Sequence, residues 1–96
     1  MFVVILKYKV SLDEVLKARP AHIEFLDKFY KNNKIIISGR KYSDDGGVIV
    51  INSSTNDEVD KIMKQDPFIR NNIASYELIG FNATKKCVEL MSLDTE

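Results

Sequence analysis

The chain has few of the residues that build disulfides and metal centres. Its 96 residues include one cysteine, one histidine and no tryptophan. The single cysteine, Cys87, excludes a disulfide within this chain and a zinc site made of several cysteines. We expect Cys87 to be a small, partly buried side chain in a reducing compartment. Because His22 has no second imidazole at ligand spacing, we also expect no metal and no other cofactor.

Neither sign of charge is in excess. Lys and Arg number 14, Asp and Glu number 14, and the formal net charge is zero. A nucleic-acid partner is therefore not expected, because such proteins carry a basic excess or stripe. The apolar run of residues 2–6 ends at Lys7 and is too short for a signal peptide or a membrane span. We expect a cytoplasmic domain with no membrane partner.

Four segments have the composition of β-strands. They are residues 2–10, 34–39, 48–52 and 73–83, which are rich in β-branched and aromatic side chains. The continuous apolar start of the first segment predicts a central strand. Gly39 is predicted to mark a bend or a close backbone approach, and residues 40–47 are predicted to form a loop that joins strands two and three in an antiparallel hairpin.

The first helix is predicted to begin at a capping box. Ser11 is the cap and Glu14 lies three residues later. Pro20 is predicted to interrupt this helix and to open a second helical segment, because proline is tolerated in a first turn and not in an interior. Beyond it, one apolar stripe runs to a helix end at Asn32-Asn33. The stripe consists of Ile23, Leu26 and Tyr30, flanked by Phe25 and Phe29.

A second helix is predicted to begin at the capping box of Thr55 and Glu58 and to stop at Asp66-Pro67. Residues 68–72 are predicted to form a further helical turn. The last twelve residues are ambiguous in pattern. Val88, Leu90 and Leu93 can pack, whereas residues 94–96 are expected to fray.

The resulting order is β-α-β-β-α-β, which predicts an α+β, ferredoxin-like domain over residues 1–84 and a C-terminal extension over residues 85–96. In this fold both helices cover one face of the sheet. The other face is apolar and needs cover. We therefore predict a homodimer that packs sheet face against sheet face.

His22 is the first candidate for chemistry. Its spacing from Leu26 and Phe29 places it at the inner edge of the helix stripe. A partly buried histidine that bonds a backbone carbonyl explains this position without a function. The alternative is a general acid or base.

Asp66 is the second candidate. As a helix stop, Asp66-Pro67 needs no function, but a negative charge at a helix C-terminus is unfavourable, which suggests a cationic partner such as His22 or Arg19. The topology does not obviously bring His22 and Asp66 together in one subunit. The loop after Asp66, or a second subunit, would have to do so. If they meet, the carboxylate fixes the imidazole tautomer and stabilises the imidazolium.

Two further positions are candidates for substrate binding, and each also has a purely structural explanation. Arg19 can bind an anionic group or pair with a surface acid. Ser38 and Gly39 can offer a hydroxyl and a backbone amide, or form only a strand-end turn.

Four features together resemble the YCII-related family. They are Arg19-Pro20-Ala21-His22, Gly39, Asp66-Pro67-Phe68 and Phe81, so the resemblance covers about residues 2–83. It implies a dimeric α+β barrel of ferredoxin-like subunits and a pocket with a His–Asp pair, here His22 and Asp66. One branch of the family is associated with dehydrochlorination of a chlorinated hydroxyquinol.

The chain departs from the family pattern at two loops expected near the pocket. Where the family often has Gly-Pro, this sequence has Gly39-Arg40, and where it often has Ala-Gly, this sequence has Asn71-Asn72. The His–Asp pair is unaffected. The identity of the substrate cannot be carried over.

The leading hypothesis is an enzyme with a His22–Asp66 acid–base pair. Its substrate would be a small cyclic or anionic organic molecule, and its reaction proton abstraction, elimination or isomerisation. The substrate-binding candidates are Arg19, Ser38, Gly39, Pro67 and Phe68. Two alternatives stay open: a non-catalytic ligand-binding or regulatory module on the same fold, and a purely structural role for both residues.

Overall fold

A computed structural model describes residues 1–91 as an α+β domain with one antiparallel sheet. The order of elements confirms the predicted ferredoxin-like pattern. The elements are β1 (Phe2–Tyr8), α1 (Leu12–Lys31), β2 (Ile35–Arg40), β3 (Gly46–Ile51), α2 (Asn56–Met63), α3 (Pro67–Arg70) and β4 (Ala74–Gly80). A short 3-10 helix, Val88–Leu90, follows the sheet. None of the helices within residues 1–91 combines the length and the apolar character that a membrane span needs.

The sheet has the strand order β2-β3-β1-β4, so β1 is central, as its composition predicted. Directly opposite residues of antiparallel strands share a face. On one face Phe2, Val4 and Leu6 are buried with Ile49 and Ile51 beneath the helices. This half of the sheet and the inner sides of the helices make a single core.

Helix α1 is continuous, and the predicted interruption at Pro20 is wrong. Ser11 caps the helix by accepting a hydrogen bond from the Glu14 amide, and the helix then runs through Pro20 to Lys31. Pro20 is exposed, so water can reach the Leu16 carbonyl that lacks its usual amide donor. The predicted end is confirmed, since Asn33 has a left-handed φ of 61°.

The buried stripe of α1 differs from the predicted one. Val15, Phe25 and Phe29 are buried, whereas Ile23 is exposed and Leu26 and Tyr30 are half-buried. An uninterrupted helix keeps the phase set at Val15, and that phase places residues 15, 22, 25 and 29 on one side. The same phase turns His22 toward the interior.

The strand ends were predicted less well than the strands. β1 stops at Tyr8 and β4 at Gly80, both earlier than predicted, and the β2–β3 hairpin is tighter. Arg40 and Gly46 belong to strands, so only residues 41–45 form the loop. Gly39 lies inside β2 and does not mark a bend, and a Cβ added to it would meet no atom within 4 Å, so no close backbone approach requires a glycine there.

The C-terminal stretch packs less than predicted. Cys87 and Val88 are exposed, and Leu90 is only half-buried, because the chain has already left the sheet at this point. The predictions for Leu93 and for residues 94–96 lie outside the described residues. The division of the chain after residue 84 stays a prediction.

Two glycines of the hairpin provide a test of the fold with a built-in control. A Cβ added to Gly46 would lie 1.8 Å from the Leu6 carbonyl oxygen, a backbone atom of the central strand that cannot yield. A Cβ added to Gly39 would have nothing within 4 Å. We expect Gly46→Ala to lower the free energy of unfolding by more than about 3 kcal/mol and Gly39→Ala to change it by less than about 1 kcal/mol. Urea unfolding followed by circular dichroism measures both values, and equal effects would contradict the β1–β3 register.

Candidate active site

Asp66 has a different local role from the one predicted. It does not end α2 but caps α3, because its Oδ1 accepts a hydrogen bond of 3.0 Å from the Phe68 amide. Pro67 then occupies the first position of α3, where a missing amide is harmless. A negative charge at a helix N-terminus is favourable, so the predicted conflict with a helix dipole does not exist. The side chain is 0% exposed.

His22 and Asp66 meet within one subunit. The His22 Nδ1 atom lies 2.8 Å from Asp66 Oδ1, and the histidine side chain is 12% exposed. The short segment after α2 turns Asp66 and α3 back against α1. This turn brings Asp66 to His22, which the predicted topology did not obviously do. The His22 ring thus bonds a carboxylate, not a backbone carbonyl.

The ring of His22 is held on its face as well as on its edge. It stacks on Phe68 with ring centroids 3.9 Å apart and an interplanar angle of 3°. Phe68 also contacts Tyr8 edge to face, with centroids 6.1 Å apart. Asp66 and Phe68 therefore fix the imidazole from two directions, and both lie in the same Asp-Pro-Phe segment.

The geometry determines which nitrogen of His22 can act. An ionised carboxylate only accepts hydrogen bonds, so the proton of a neutral His22 lies on Nδ1. Nε2 then carries the free lone pair. Asp66 Oδ2 is buried and has no hydrogen-bond partner within residues 1–91. The carboxylate thus directs its bonds through Oδ1 alone, to His22 and to the Phe68 amide.

His22 lines a cavity of about 160 Å³ between α1, α3 and the sheet. Four more predicted site residues also line it, namely Arg19, Ser38, Gly39 and Phe68, whereas Pro67 does not. The Ser38 hydroxyl is already engaged, since it lies 2.6 Å from the Tyr30 hydroxyl. The other lining residues are Leu6, Tyr8, Val15, Ile23, Leu26, Arg40, Gly47, Val48 and Ile49.

Nine of the lining residues were not predicted as site residues, and Tyr8, Arg40 and Gly47 are the three that bear on its chemistry and shape. Tyr8 follows the buried Leu6 by two positions, and this strand alternation could have placed it on the helix side of the sheet. Burial raises the pKa of Tyr8, while the positive charges of Arg40 and Arg19 oppose that rise. The pairing that brings Arg40 beside the cavity is a tertiary contact with no local signal.

The charged side chains on the cavity wall are basic, namely Arg19 and Arg40. Arg19 has no ion-pair or hydrogen-bond partner within residues 1–91, so the surface ion pair considered for it is not found there. In the same part of the chain, no group of three His, Cys, Asp or Glu side chains could hold a metal ion. The arrangement can take a proton at Nε2 and hold a small molecule beside it.

The family model of the YCII-related domain matches residues 1–82. The chain belongs to the YCII-related family. This match confirms the family that the motifs of residues 19–22 and 66–68 predicted. No curated protein matches the sequence.

The fold of this YCII-related chain is similar to that of a solved structure. It is 5-chloro-2-hydroxyhydroquinone dehydrochlorinase (TftG) from Burkholderia phenoliruptrix AC1100, in complex with 2,5-dihydroxybenzoquinone. The TM-score is 0.67 at 19% identity, and the alignment covers 84% of this chain and 93% of that chain. A likeness at this identity shows the shared fold.

The tautomer of His22 is directly measurable because the chain has one histidine. We expect the ¹⁵N shifts of the neutral ring to report a proton on Nδ1, since Asp66 accepts it. Asp66→Asn removes the charge that holds this tautomer, and the shifts should move toward the Nε2–H form. Asp57→Asn, a change of the same charge in the first turn of α2, is the control and should leave the shifts alone. A wild-type ring protonated on Nε2 would contradict the structure of the pair.

Proposed function

We propose that this YCII-related protein is an enzyme in which His22 and Asp66 act together as an acid–base pair on a small organic molecule. The observation that carries the proposal is the 2.8 Å contact between His22 Nδ1 and Asp66 Oδ1 on the wall of a cavity. A buried carboxylate that orients an imidazole is a recurrent arrangement for general base catalysis.

In the proposed reaction, His22 Nε2 takes a proton from the substrate and the ring becomes an imidazolium. Asp66 stabilises that positive charge through Oδ1. The electron pair left on the substrate then expels a leaving group, in an elimination, or moves to a neighbouring atom, in an isomerisation. His22 returns the proton to the product or to water, which restores the neutral ring.

The size of the cavity limits the substrate. A volume of about 160 Å³ is close to that of engineered cavities of about 150 Å³ that hold benzene. We therefore infer a substrate with one ring or fewer. The dehydrochlorinase of the same fold, whose ligand is 2,5-dihydroxybenzoquinone, supports an elimination on a single ring as the reaction class.

A ligand-binding or regulatory module is the second candidate. The half-buried Tyr30–Ser38 hydrogen bond and the stacked His22–Phe68 pair make part of the cavity wall rigid without requiring any reaction. In that case a bound molecule would leave the protein chemically unchanged.

Proton transfer can be tested before the natural substrate is identified. Single-ring ketones, enols and chlorinated hydroquinones, including 5-chloro-2-hydroxyhydroquinone, would be incubated with the protein in D₂O. We expect accelerated hydrogen–deuterium exchange at carbon, or chloride release, and a loss of at least about 100-fold in His22→Gln. NMR and a chloride electrode measure the two rates.

The control for this assay is Tyr42→Phe, a change on an exposed side chain outside the cavity, which should keep the wild-type rate. An unchanged rate in His22→Gln would refute the acid–base role. A compound that binds in the cavity and undergoes neither exchange nor elimination would favour the binding module.

We also propose that the protein is a cytoplasmic homodimer that packs through the open face of the sheet. This face lies opposite the helices, and its apolar side chains are half-buried or exposed, with Ile37 63% and Ile79 51% exposed. Its apolar members, by strand register, are Val3, Ile5, Ile37, Val48, Val50 and Ile79, and the charged Lys7 and Glu77 lie on the same face. A second copy presents the same largely apolar surface, which suits a two-fold contact. The exposed thiol of Cys87 suits a reducing compartment.

Sedimentation velocity tests the dimer. We expect a species of twice the chain mass of 11.0 kDa at micromolar concentration and its dissociation in Ile37→Glu, because a carboxylate would be buried in the contact. Leu16→Glu places the same charge on an exposed apolar position of α1 and should leave the dimer intact. A monomeric wild-type protein would exclude this assembly.

A further inference from the structure

The charged side chains that line the cavity are all basic. Arg19 and Arg40 line it with His22, and none of its lining residues is Asp or Glu. The carboxylate of Asp66 lies behind the imidazole and is fully buried. A ligand in the cavity therefore meets two permanent positive charges and no negative side chain on the walls.

Arg40 reaches the cavity because of the sheet register. It lies opposite Gly47 on β3, and Gly47 lies opposite Leu6 on β1, so all three share the helix side of the sheet. Gly47 has no side chain, and a Cβ there would lie 2.9 Å from the Gly39 carbonyl oxygen. No β3 side chain lies between Leu6 and Arg40. The backbone of Gly47 therefore forms the floor of the cavity at this point, and Arg40 lies at its rim.

The guanidinium groups retain unused donors. Arg40 Nε pairs with Asp44 Oδ1 at 3.1 Å, and the Arg40 side chain is still 42% exposed. Its two Nη groups have no hydrogen-bond partner within residues 1–91, and Arg19 has no partner there at all. Asp44 is exposed and in the hairpin loop, so its attraction for Arg40 is weakened by water.

Tyr8, which also lines the cavity, lies within the electrostatic reach of both arginines. Burial raises the pKa of Tyr8, the positive charges of Arg40 and Arg19 oppose that rise, and the more weakly acting negative charges of Asp44 and Asp45 add to it. Arg19 lies one helical turn before His22 on α1, so its guanidinium and the imidazole project to the same side. Arg19, Arg40, Tyr8 and His22 therefore all face one cavity.

We propose that Arg19 and Arg40 form an arginine pair that selects a single-ring organic oxyanion, and that Arg40 is the residue that discriminates charge. This inference rests on the proposed function only for the placement of the ligand beside His22. Arg40 presents Nη donors that match a planar oxyanion such as a carboxylate, and it stays positive at every working pH. Asp44 competes with the ligand for Arg40.

Binding of benzoate and its neutral analogue benzamide tests the charge preference. Isothermal titration should show benzoate binding the wild-type protein at least about tenfold more tightly than benzamide, a difference of about 1.4 kcal/mol. In Arg40→Gln that preference should be lost through weaker benzoate binding, with benzamide unchanged. Arg70→Gln, a change of the same charge on the exposed end of α3, should keep it.

A second variant tests whether Asp44 competes with the ligand for Arg40, and it leaves both arginines in place. Asp44 has a left-handed φ of 60°, which asparagine tolerates, so Asp44→Asn preserves the loop and frees Arg40. Benzoate should bind this variant several-fold more tightly. The affinity for 4-nitrophenolate, measured at alkaline pH, is compared with that for benzoate to show whether the cavity prefers an ionised ring hydroxyl or a carboxylate. Tighter binding of either oxyanion supports the arginine pair.

Undetectable benzoate and 4-nitrophenolate binding, or equal affinity for benzoate and benzamide in the wild-type protein, would overturn the charge selection. An unaltered preference in Arg40→Gln would overturn the role of Arg40. His22→Gln distinguishes this inference from the proposed function, since it should abolish exchange yet keep the preference for benzoate. If His22→Gln loses exchange but the wild-type protein shows no preference for benzoate over benzamide, the enzyme proposal is supported and the charge selection is refuted.

Discussion

The contact between His22 and Asp66 organises this end of the molecule. A carboxylate that is 0% exposed must be compensated by hydrogen bonds, and here one oxygen, Oδ1, accepts from both the imidazole and the Phe68 amide. The second bond starts α3, and α3 carries the Phe68 ring that stacks on His22. The buried carboxylate of Asp66 thus caps the start of α3, helps to place Phe68 against His22 and fixes the tautomer of the imidazole.

The sheet supplies the complementary half of the site. Gly47 leaves a gap above β3, and the strands on either side place Leu6 and Arg40 at its edges. Helix α1 closes the opposite wall with Arg19 and His22. The result is a small cavity with Arg19 and His22 on one wall, Arg40 at the opposite edge and both polar and apolar groups on its surface.

Local patterns predicted most of the secondary structure correctly, but they predicted the wrong local role for Asp66. Capping boxes, β-branched runs and the Asn pair located the helices and strands because those signals act over a few residues. Pro20 misled the prediction, since the packing of Val15, Phe25 and Phe29 on one face outweighs a single lost backbone hydrogen bond at an exposed position. The Asp66-Pro67 pair predicts a stop of α2, but the same pair also fits the cap and first residue of a new helix, which is what it forms.

The sequence by itself determined the family and the βαββαβ order, and it named His22 and Asp66 as the candidate acid–base pair, because motifs and periodicity are properties of the chain. Only the tertiary structure decided that His22 and Asp66 meet in one subunit, and that Arg40, Tyr8 and Gly47 join them around a cavity. His22 and Asp66 are 44 positions apart, and Tyr8 and Phe68, whose rings are in contact, are 60 positions apart. They depend on strand register and on the angle at which α3 returns to α1, which no local pattern encodes.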